Sequence, residues 1–184
     1  MADNPRMGVC LDTSFLITLC SQKRENHDVA KRFFAFWMEH GIPMFLPTIC
    51  YAEYLARETE VPAYLLNQMK LLPFDPESAV IAGEIERSRL SVDAGDTSRV
   101  ALKDDMKIIA NAAQNRVLGI VTEDEKSMVR YVRRAAETVS SVAGLKALTL
   151  SSGFDEGSAS FSDPELPLDY QGQSRADGFH SSAT

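Results

Sequence analysis

The sequence contains few cysteines, and they form no pairing or metal-binding pattern. The three are Cys10, Cys20 and Cys50; each lies among apolar residues, and no CxxC pair occurs. An odd number of isolated cysteines in apolar surroundings is typical of reduced, buried thiols. The cysteines therefore predict neither a disulfide framework nor a zinc site.

Long hydrophobic runs and a targeting segment are also missing. No stretch approaches the ~20 apolar residues of a membrane helix. The first six residues are polar and include an acid, so they do not resemble a secretory signal. With 184 residues, 45% of them hydrophobic and 24% charged, the chain is expected to be one soluble, globular domain in the cytoplasm, with no membrane span.

Motifs for several common chemistries are absent as well. The sequence has no HExxH, no GxGxxG and no GxxxxGK[ST], and its three histidines are scattered over a turn, a helix end and the C-terminal region. These absences argue against a zinc metalloprotease, a dinucleotide-binding enzyme and a P-loop enzyme. The sequence therefore predicts neither acyl transfer nor zinc chemistry.

The chain has no excess of positive charge, since its formal net charge is −7. That charge is unevenly distributed. Residues 151–184 contain six acids and one arginine, a balance of −5, so the first 150 residues carry only −2. If four acids of this larger part formed a metal site, the rest of its surface would be mildly basic, and the overall charge would not exclude a nucleic-acid substrate.

Strand-like and helix-like segments alternate between residues 7 and 150, which predicts a mostly parallel sheet covered on both faces. Strands are expected at 7–11, 43–47, 70–74, 119–122 and 146–150. Residues 1–6 are expected to form a flexible N-terminus. Residues 151–184, rich in Ser, Gly, Asp and Pro, are predicted to be a disordered tail, because they offer too little apolar surface to offset the entropy cost of ordering.

A helix beginning near Asp28 has an unusually aromatic face. Val29, Phe33, Phe36 and Trp37 recur at helical spacing. Burial of this helix on two sides is the favoured interpretation. A hydrophobic surface for a partner or for a second copy of the chain is the alternative.

Four carboxylates lie beside the predicted elements. Asp12 follows the first strand, Glu53 lies on the helix after the second strand, Asp105 lies in the first turn of a later helix, and Asp124 follows the 119–122 strand. Parallel strands end on one edge of a sheet, so Asp12 and Asp124 can converge there. Oxygen ligands of this kind suit Mg²⁺ or Mn²⁺, which can activate water for phosphodiester hydrolysis.

Each acid also has a purely structural interpretation. Asp12 and Asp105 could cap helices, Asp124 could be a turn residue, and Glu53 could be a solvated helix position. Three neighbouring acids compete with them for the same roles: Asp104, Glu123 and Glu125.

The order and spacing of these segments resemble the PIN-domain family of metal-dependent ribonucleases. The family pattern is an apolar strand followed by Asp-[Thr/Ser]-[Ser/Asn], a glutamate on a helix, a D-x-x-I-A-A-x-A helix, and a strand ending in T-x-D. The matching segments here are Leu11-Asp12-Thr13-Ser14, Tyr51-Ala52-Glu53-Tyr54-Leu55, Asp105-Met106-Lys107-Ile108-Ile109-Ala110-Asn111-Ala112 and Val121-Thr122-Glu123-Asp124. The resemblance covers roughly residues 7–150. Ile109 replaces a usual alanine, and Lys126-Ser127-Met128 stands where the family has an aromatic residue.

The resemblance implies a three-layer α/β/α fold with a central, mostly parallel sheet. It implies an endoribonuclease in which Mg²⁺ or Mn²⁺ is held by Asp12, Glu53, Asp105 and Asp124. Three hydroxyl residues would surround these ligands: Thr13, Ser14 and Thr122. Many small bacterial members of the family are toxins that cut RNA and are silenced by a small partner protein, so an antitoxin-like partner is a further implication.

Four basic residues flank the acids and could contact RNA phosphates: Lys103, Lys107, Lys126 and Arg130. A solvated helix face is an equally good interpretation of these four. The alternative for the whole chain is a non-catalytic interaction domain that kept the α/β fold, which would show no dependence on divalent metal.

Overall fold

A five-stranded, all-parallel sheet forms the centre of the protein. The computed structural model describes residues 6–58, 60–90 and 99–161, and the side chains at 89–90 and 99–103 lie outside this description. The strands are β1 (Val9–Leu11), β2 (Met44–Pro47), β3 (Met69–Leu72), β4 (Gly119–Thr122) and β5 (Lys146–Thr149). Their order in the sheet is β3-β2-β1-β4-β5, and all neighbours are parallel.

Helices connect the strands and complete a three-layer α/β/α fold, as the sequence predicted. They are α1 (Thr13–Cys20), α2 (His27–Glu39), α3 (Thr48–Leu55), α4 (Ala63–Leu66), α5 (Pro76–Leu90), α6 (Arg99–Gln114), α7 (Met128–Thr138) and α8 (Glu156–Ser160), with 3₁₀ turns at Ser140–Val142 and Leu150–Ser152. Every residue of β1, β2 and β4 is buried, as expected for parallel strands covered on both faces. Within the described residues, no helix is both long and apolar enough to cross a membrane.

The order of the strands creates one crevice at the carboxyl edge of the sheet. From β1 the chain moves outward through β2 and β3, and β4 then returns to the other side of β1. Ligands of open α/β sheets bind at such a switch point, beyond the carboxyl ends of the two diverging strands. The residues that follow β1 and β4 are therefore the ones the topology places in a binding position.

Helix α6 begins earlier than predicted. Asp105 was predicted to lie in the first turn of its helix, yet residues 99–100 are already helical, while 91–98 lie outside the described residues. No Gly or Pro occurs between Arg99 and Lys103, so nothing local ends the helix there. Consequently Asp105 lies beyond the first turn of α6, and both its predicted first-turn position and its capping interpretation are wrong.

Residues 151–161 are ordered, so the predicted disordered tail does not begin at 151. After β5 the chain forms the 3₁₀ turn Leu150–Ser152 and then α8, which packs against α2. Leu150 and Ala159 are both fully buried. The remainder of the predicted tail, residues 162–184, lies outside the described residues, as do residues 1–5 of the predicted flexible N-terminus.

The aromatic face of α2 is where this C-terminal segment packs. The indole Nε1 of Trp37 donates a hydrogen bond of 2.9 Å to the carbonyl oxygen of Ala159. The ring of Phe154 lies 5.0 Å from that of Phe33 and 5.9 Å from that of Phe36. The favoured interpretation of α2 as a buried helix is therefore confirmed for Phe33 and Trp37, which are both fully buried. The tail prediction failed here because apolar residues that look isolated in sequence all meet one surface in the fold.

Candidate active site

The residues after β1 and β4 lie side by side at the crevice. Leu11 pairs with Val121 in the sheet, and the backbone N–H of Asp12 donates to the carbonyl oxygen of Val121 at 3.1 Å. Asp12 thus begins where β1 ends, level with the last residue of β4. The parallel register predicted this convergence, and the structure shows it.

The Asp12 carboxylate is buried and held by two hydroxyl groups. Its side chain is 7% exposed. Oδ2 accepts hydrogen bonds from Ser14 Oγ at 2.6 Å and from Thr122 Oγ1 at 2.7 Å. Although Asp12 occupies the N-cap position of α1, its side chain makes no capping hydrogen bond to that helix. The capping interpretation of Asp12 is therefore wrong.

The same two hydroxyls also join the start of α1 to the loop after β4. Ser14 Oγ accepts from the backbone N–H of Glu123, and Thr122 Oγ1 accepts from the backbone N–H of Asp124, both at 2.9 Å. The two hydroxyl oxygens lie 3.1 Å apart. The position of Asp124 relative to Asp12 is thus set by hydrogen bonds as well as by the sheet.

Glu53 reaches the same region from α3. Its Oε2 accepts a hydrogen bond from Thr13 Oγ1. Thr13 is buried and Glu53 is half-buried, so the interpretation of Glu53 as a solvated helix position is wrong. Buried Cys50, one turn earlier on α3, also hydrogen-bonds Thr13, and burial raises the pKa of its thiol well above the ordinary value. The thiol is therefore neutral and inert, as the sequence predicted.

The fourth acid, Asp105, lies near enough to the other three for their charges to raise its pKa. Burial, the largest cause, and the negative charges of Asp12, Asp124, Glu53 and Asp104 together raise the pKa of the Asp105 carboxyl from 3.8 to about 7. A partly buried carboxyl group whose pKa is raised by several neighbouring acids is typical of a functional site. The structure therefore brings the four predicted acids to one place.

Removal of the Asp105 charge should stabilise the metal-free protein in a pH-dependent way. As the pH rises from 3.8 towards 7, the unfolded state ionises Asp105 while the folded state retains the proton, so the folded state loses stability. In EDTA, Asp105→Asn should therefore raise the free energy of unfolding by about 1–2 kcal/mol at pH 8 and by less at pH 5. Urea denaturation at the two pH values measures this. Glu39→Gln, which removes an exposed acid at the end of α2, is the control and should show no such gain. An equal gain from Asp105→Asn at both pH values would contradict the prediction.

Asp124 is a turn residue as well as a candidate ligand. Its Oδ1 accepts from the backbone N–H groups of Lys126 at 3.0 Å and Ser127 at 2.8 Å, and its Oδ2 accepts from Ser127 Oγ. The turn interpretation of Asp124 is therefore correct. It is compatible with the other role, because each carboxylate oxygen has two lone pairs.

The competing acids are held by residues outside the group of four. Asp104 pairs with Lys107 Nζ at 2.7 Å, Glu123 accepts from Asn26 Nδ2 at 3.2 Å, and Glu125 accepts from the hydroxyls of Thr149 and Ser151. Sequence reasoning missed Asn26 and Ser127. The first lies far from the acids in sequence and carries no local signal, whereas the second stands three residues after Asp124, the spacing of an aspartate turn.

The four predicted basic residues differ in their surroundings. Lys107 is engaged in its ion pair on α6. The guanidinium of Arg130 lies 4.9 Å from the ring centre of Tyr131. Lys126 is exposed, directly after the turn that contains Asp124. The side chain of Lys103 lies outside the described residues.

The four acids offer the oxygen ligands that a divalent cation prefers, but their side chains do not have the spacing of a metal site. In the part of the chain that the structure describes, no three His, Cys, Asp or Glu side chains already have the spacing of a metal site. Carboxylate oxygens are nevertheless the donors that Mg²⁺ and Mn²⁺ prefer, and a cation would relieve the repulsion that raises the pKa of Asp105. Ligation would require the four carboxylates to close in.

The five-stranded parallel sheet, with helices on both faces, defines an α/β fold. Two solved structures are similar to this chain. One is DNA-bound VapBC from Salmonella typhimurium, with a TM-score of 0.50 and 20% identity over 78% of this chain and 98% of that chain. The other is VapBC2 from Rickettsia felis bound to a promoter DNA fragment, with a TM-score of 0.55 and 13% identity over the same shares. At these identities the likeness concerns the fold alone. No protein-family model matches the chain, and no curated protein sequence matches it significantly.

Proposed function

We propose that this protein is an endoribonuclease that uses Mg²⁺ or Mn²⁺ to hydrolyse RNA phosphodiester bonds at the crevice between β1 and β4. The observation that carries the proposal is the environment of Asp12. This buried carboxylate does not cap its helix and is held by Ser14 and Thr122 close to Asp105. Repulsion among these acids costs folding free energy, which a bound cation would offset.

The four acids would have different roles in this site. Asp12, Asp105 and Asp124 would bind the cation, and Glu53 would either bind it or orient the attacking water. When bound, Mg²⁺ or Mn²⁺ supplies activation of that water and stabilisation of the leaving oxygen. No other chemistry is suggested by the residues that the structure places in the crevice.

The three hydroxyl residues would keep two of these carboxylates in place. Ser14 and Thr122 hold Oδ2 of Asp12, which leaves the lone pairs of its other oxygen available to a cation. Thr13 holds Oε2 of Glu53 in the same manner. Hydrogen bonds of this kind orient ligand groups and keep their side chains from rotating between turnovers.

RNA would approach the crevice along its basic rim. Lys126 is exposed beside Asp124, and Arg130 follows one turn later on α7. These two residues, together with Lys103 and Lys107, would contact backbone phosphates, which position a nucleic acid without reading its sequence. Binding should therefore weaken as the salt concentration rises.

We further propose that this nuclease is the toxin of a toxin–antitoxin pair, silenced by a small protein partner. The similar fold of chains from two VapBC complexes, which are toxin–antitoxin complexes, supports this proposal. Formation of a homodimer is a second prediction, separate from binding of the partner protein.

A non-catalytic interaction domain is the alternative function. One observation favours it: among the described residues, no group of three or more His, Cys, Asp or Glu side chains has the spacing of a metal site. An interaction domain of this kind would keep the fold and gain nothing from divalent cations.

Cleavage of a single-stranded RNA in the presence of Mg²⁺, Mn²⁺ or EDTA tests the proposal against the alternative. We expect cleavage with either cation, none in EDTA, and a melting temperature that rises with Mn²⁺ because the cation binds the folded state. A DNA strand of the same sequence is the control for the substrate. Cleavage that persists in EDTA would contradict the metal requirement, and the absence of both cleavage and a thermal shift would favour the interaction domain.

A further inference from the structure

Ser127 has an unusual role at the start of α7. It occupies the N-cap position of that helix, where a serine hydroxyl ordinarily accepts a hydrogen bond from a backbone N–H of the first turn. Here the side chain makes no such bond, and its hydroxyl instead donates to Oδ2 of Asp124. The hydroxyl of Ser127 therefore binds an acid of the candidate active site and does not cap α7.

The hydroxyl of Ser127 completes the set of hydrogen bonds around Asp124. The two backbone N–H groups of Lys126 and Ser127 both bind Oδ1. With these bonds alone only Oδ1 would be held, and the carboxylate could still pivot about that oxygen through combined rotations of χ1 and χ2. The hydroxyl at Oδ2 fixes the plane of the carboxylate, and with it the direction of the lone pairs that remain for another ligand.

We propose that Ser127 is a positioning residue that sets the orientation of Asp124 for binding of the divalent cation. This role rests on the proposed metal-dependent function. Groups that orient a metal ligand in this way typically influence affinity by ~10–100-fold when they are removed.

Ser158 provides a matched control. Its backbone N–H and its hydroxyl both bind Oδ2 of Asp155, three residues earlier, each at 2.8 Å. This is the same kind of serine–aspartate turn at the start of a helix, but it lies on α8, which packs against α2. Replacing either serine by alanine removes one hydroxyl from an aspartate turn, and only one of the two aspartates belongs to the candidate site.

Titration calorimetry with MnCl₂ on the full chain, well below its melting temperature, tests the role of Ser127. The variants are Ser127→Ala, Ser127→Thr and Ser158→Ala, and each is also melted in EDTA to measure its stability without metal. We expect Ser127→Ala to weaken Mn²⁺ binding about tenfold. Ser127→Thr keeps the hydroxyl, so its affinity for Mn²⁺ should lie within about threefold of that of the parent. Ser158→Ala should bind Mn²⁺ as the parent does.

Equal Mn²⁺ affinity in Ser127→Ala and the parent would overturn the positioning role, as would the same weakening in Ser158→Ala. Failure of Ser127→Thr to restore affinity would overturn it too, since the hydroxyl would then not be the cause. Failure of the proposed function has a different signature. A parent that binds no Mn²⁺, or binds it equally well after Asp12→Asn, would overturn the metal site and the role of Ser127 together.

Discussion

Replacing Asp12 with asparagine is expected to reduce metal-dependent RNA cleavage by more than ~100-fold, since even residues that merely orient metal ligands cost ~10–100-fold. Asparagine has the same shape and can keep the hydrogen bonds to Ser14 and Thr122, so the change removes mainly a negative charge. Without metal, the variant should melt at the same temperature as the parent or higher, because one repulsive charge near Asp105 is gone. Initial cleavage rates in Mg²⁺ and Mn²⁺, together with melts in EDTA, measure both effects.

The control for this prediction is Glu39→Gln, which removes an exposed acid at the end of α2 opposite to Asn26. It should leave the cleavage rate unchanged. A marked loss of metal-free stability in Asp12→Asn would mean that the charge serves the fold, as a cap would. Unchanged cleavage would remove Asp12 from the metal site.

Truncating Trp37 should have the largest effect on stability. Its side chain is fully buried, with its ring centre 5.6 Å from that of Phe15 and 5.5 Å from that of Phe33. Trp37→Ala should lower the free energy of unfolding by about 3–5 kcal/mol through lost packing and the cavity that remains. Trp37→Phe keeps most of the packing and loses the hydrogen bond to Ala159, which corresponds to about 1–2 kcal/mol. Urea denaturation measures both values.

Tyr64→Ala is the matched control, because it truncates an aromatic side chain that is 71% exposed. Its effect should stay within about 0.5 kcal/mol. If Trp37→Phe were as stable as the parent, the hydrogen bond from Trp37 to Ala159 would contribute nothing to folding. A tail that is disordered from residue 151 onward, as its composition suggested, would produce that result.

The sequence was sufficient to predict the fold because its signals are local. Each parallel strand lies buried between helices, so it appears as a short apolar run, as at Val9–Leu11 and Gly119–Thr122. The residue that directly follows such a run lies at the carboxyl edge of the sheet. Asp12 could therefore be placed at that edge from the sequence alone. The start of α6 was predicted less well, because no helix-breaking residue marks it in the sequence.

The candidate site was only partly predictable. Asp12, Glu53, Asp105 and Asp124 could be chosen from their positions beside apolar elements, and the structure places them together. The sequence could not separate them from their acidic neighbours, because adjacent residues have nearly the same local pattern. In the fold, the carboxylates of these neighbours contact Lys107, Asn26 and Ser151. The metal and the substrate remain proposals.

By itself, the sequence determined the alternation of strands and helices, the parallel sheet and the acids that reach its carboxyl edge. These follow from hydrophobic periodicity and chain order, which act over a few residues. Only the tertiary structure decided that residues 151–161 pack on α2, that Asp12 is held by hydroxyls instead of capping its helix, and that Ser127 turns its hydroxyl to Asp124. Each of these depends on which of several available donors or apolar surfaces lies nearest in space. That choice is made by the packing of the whole chain.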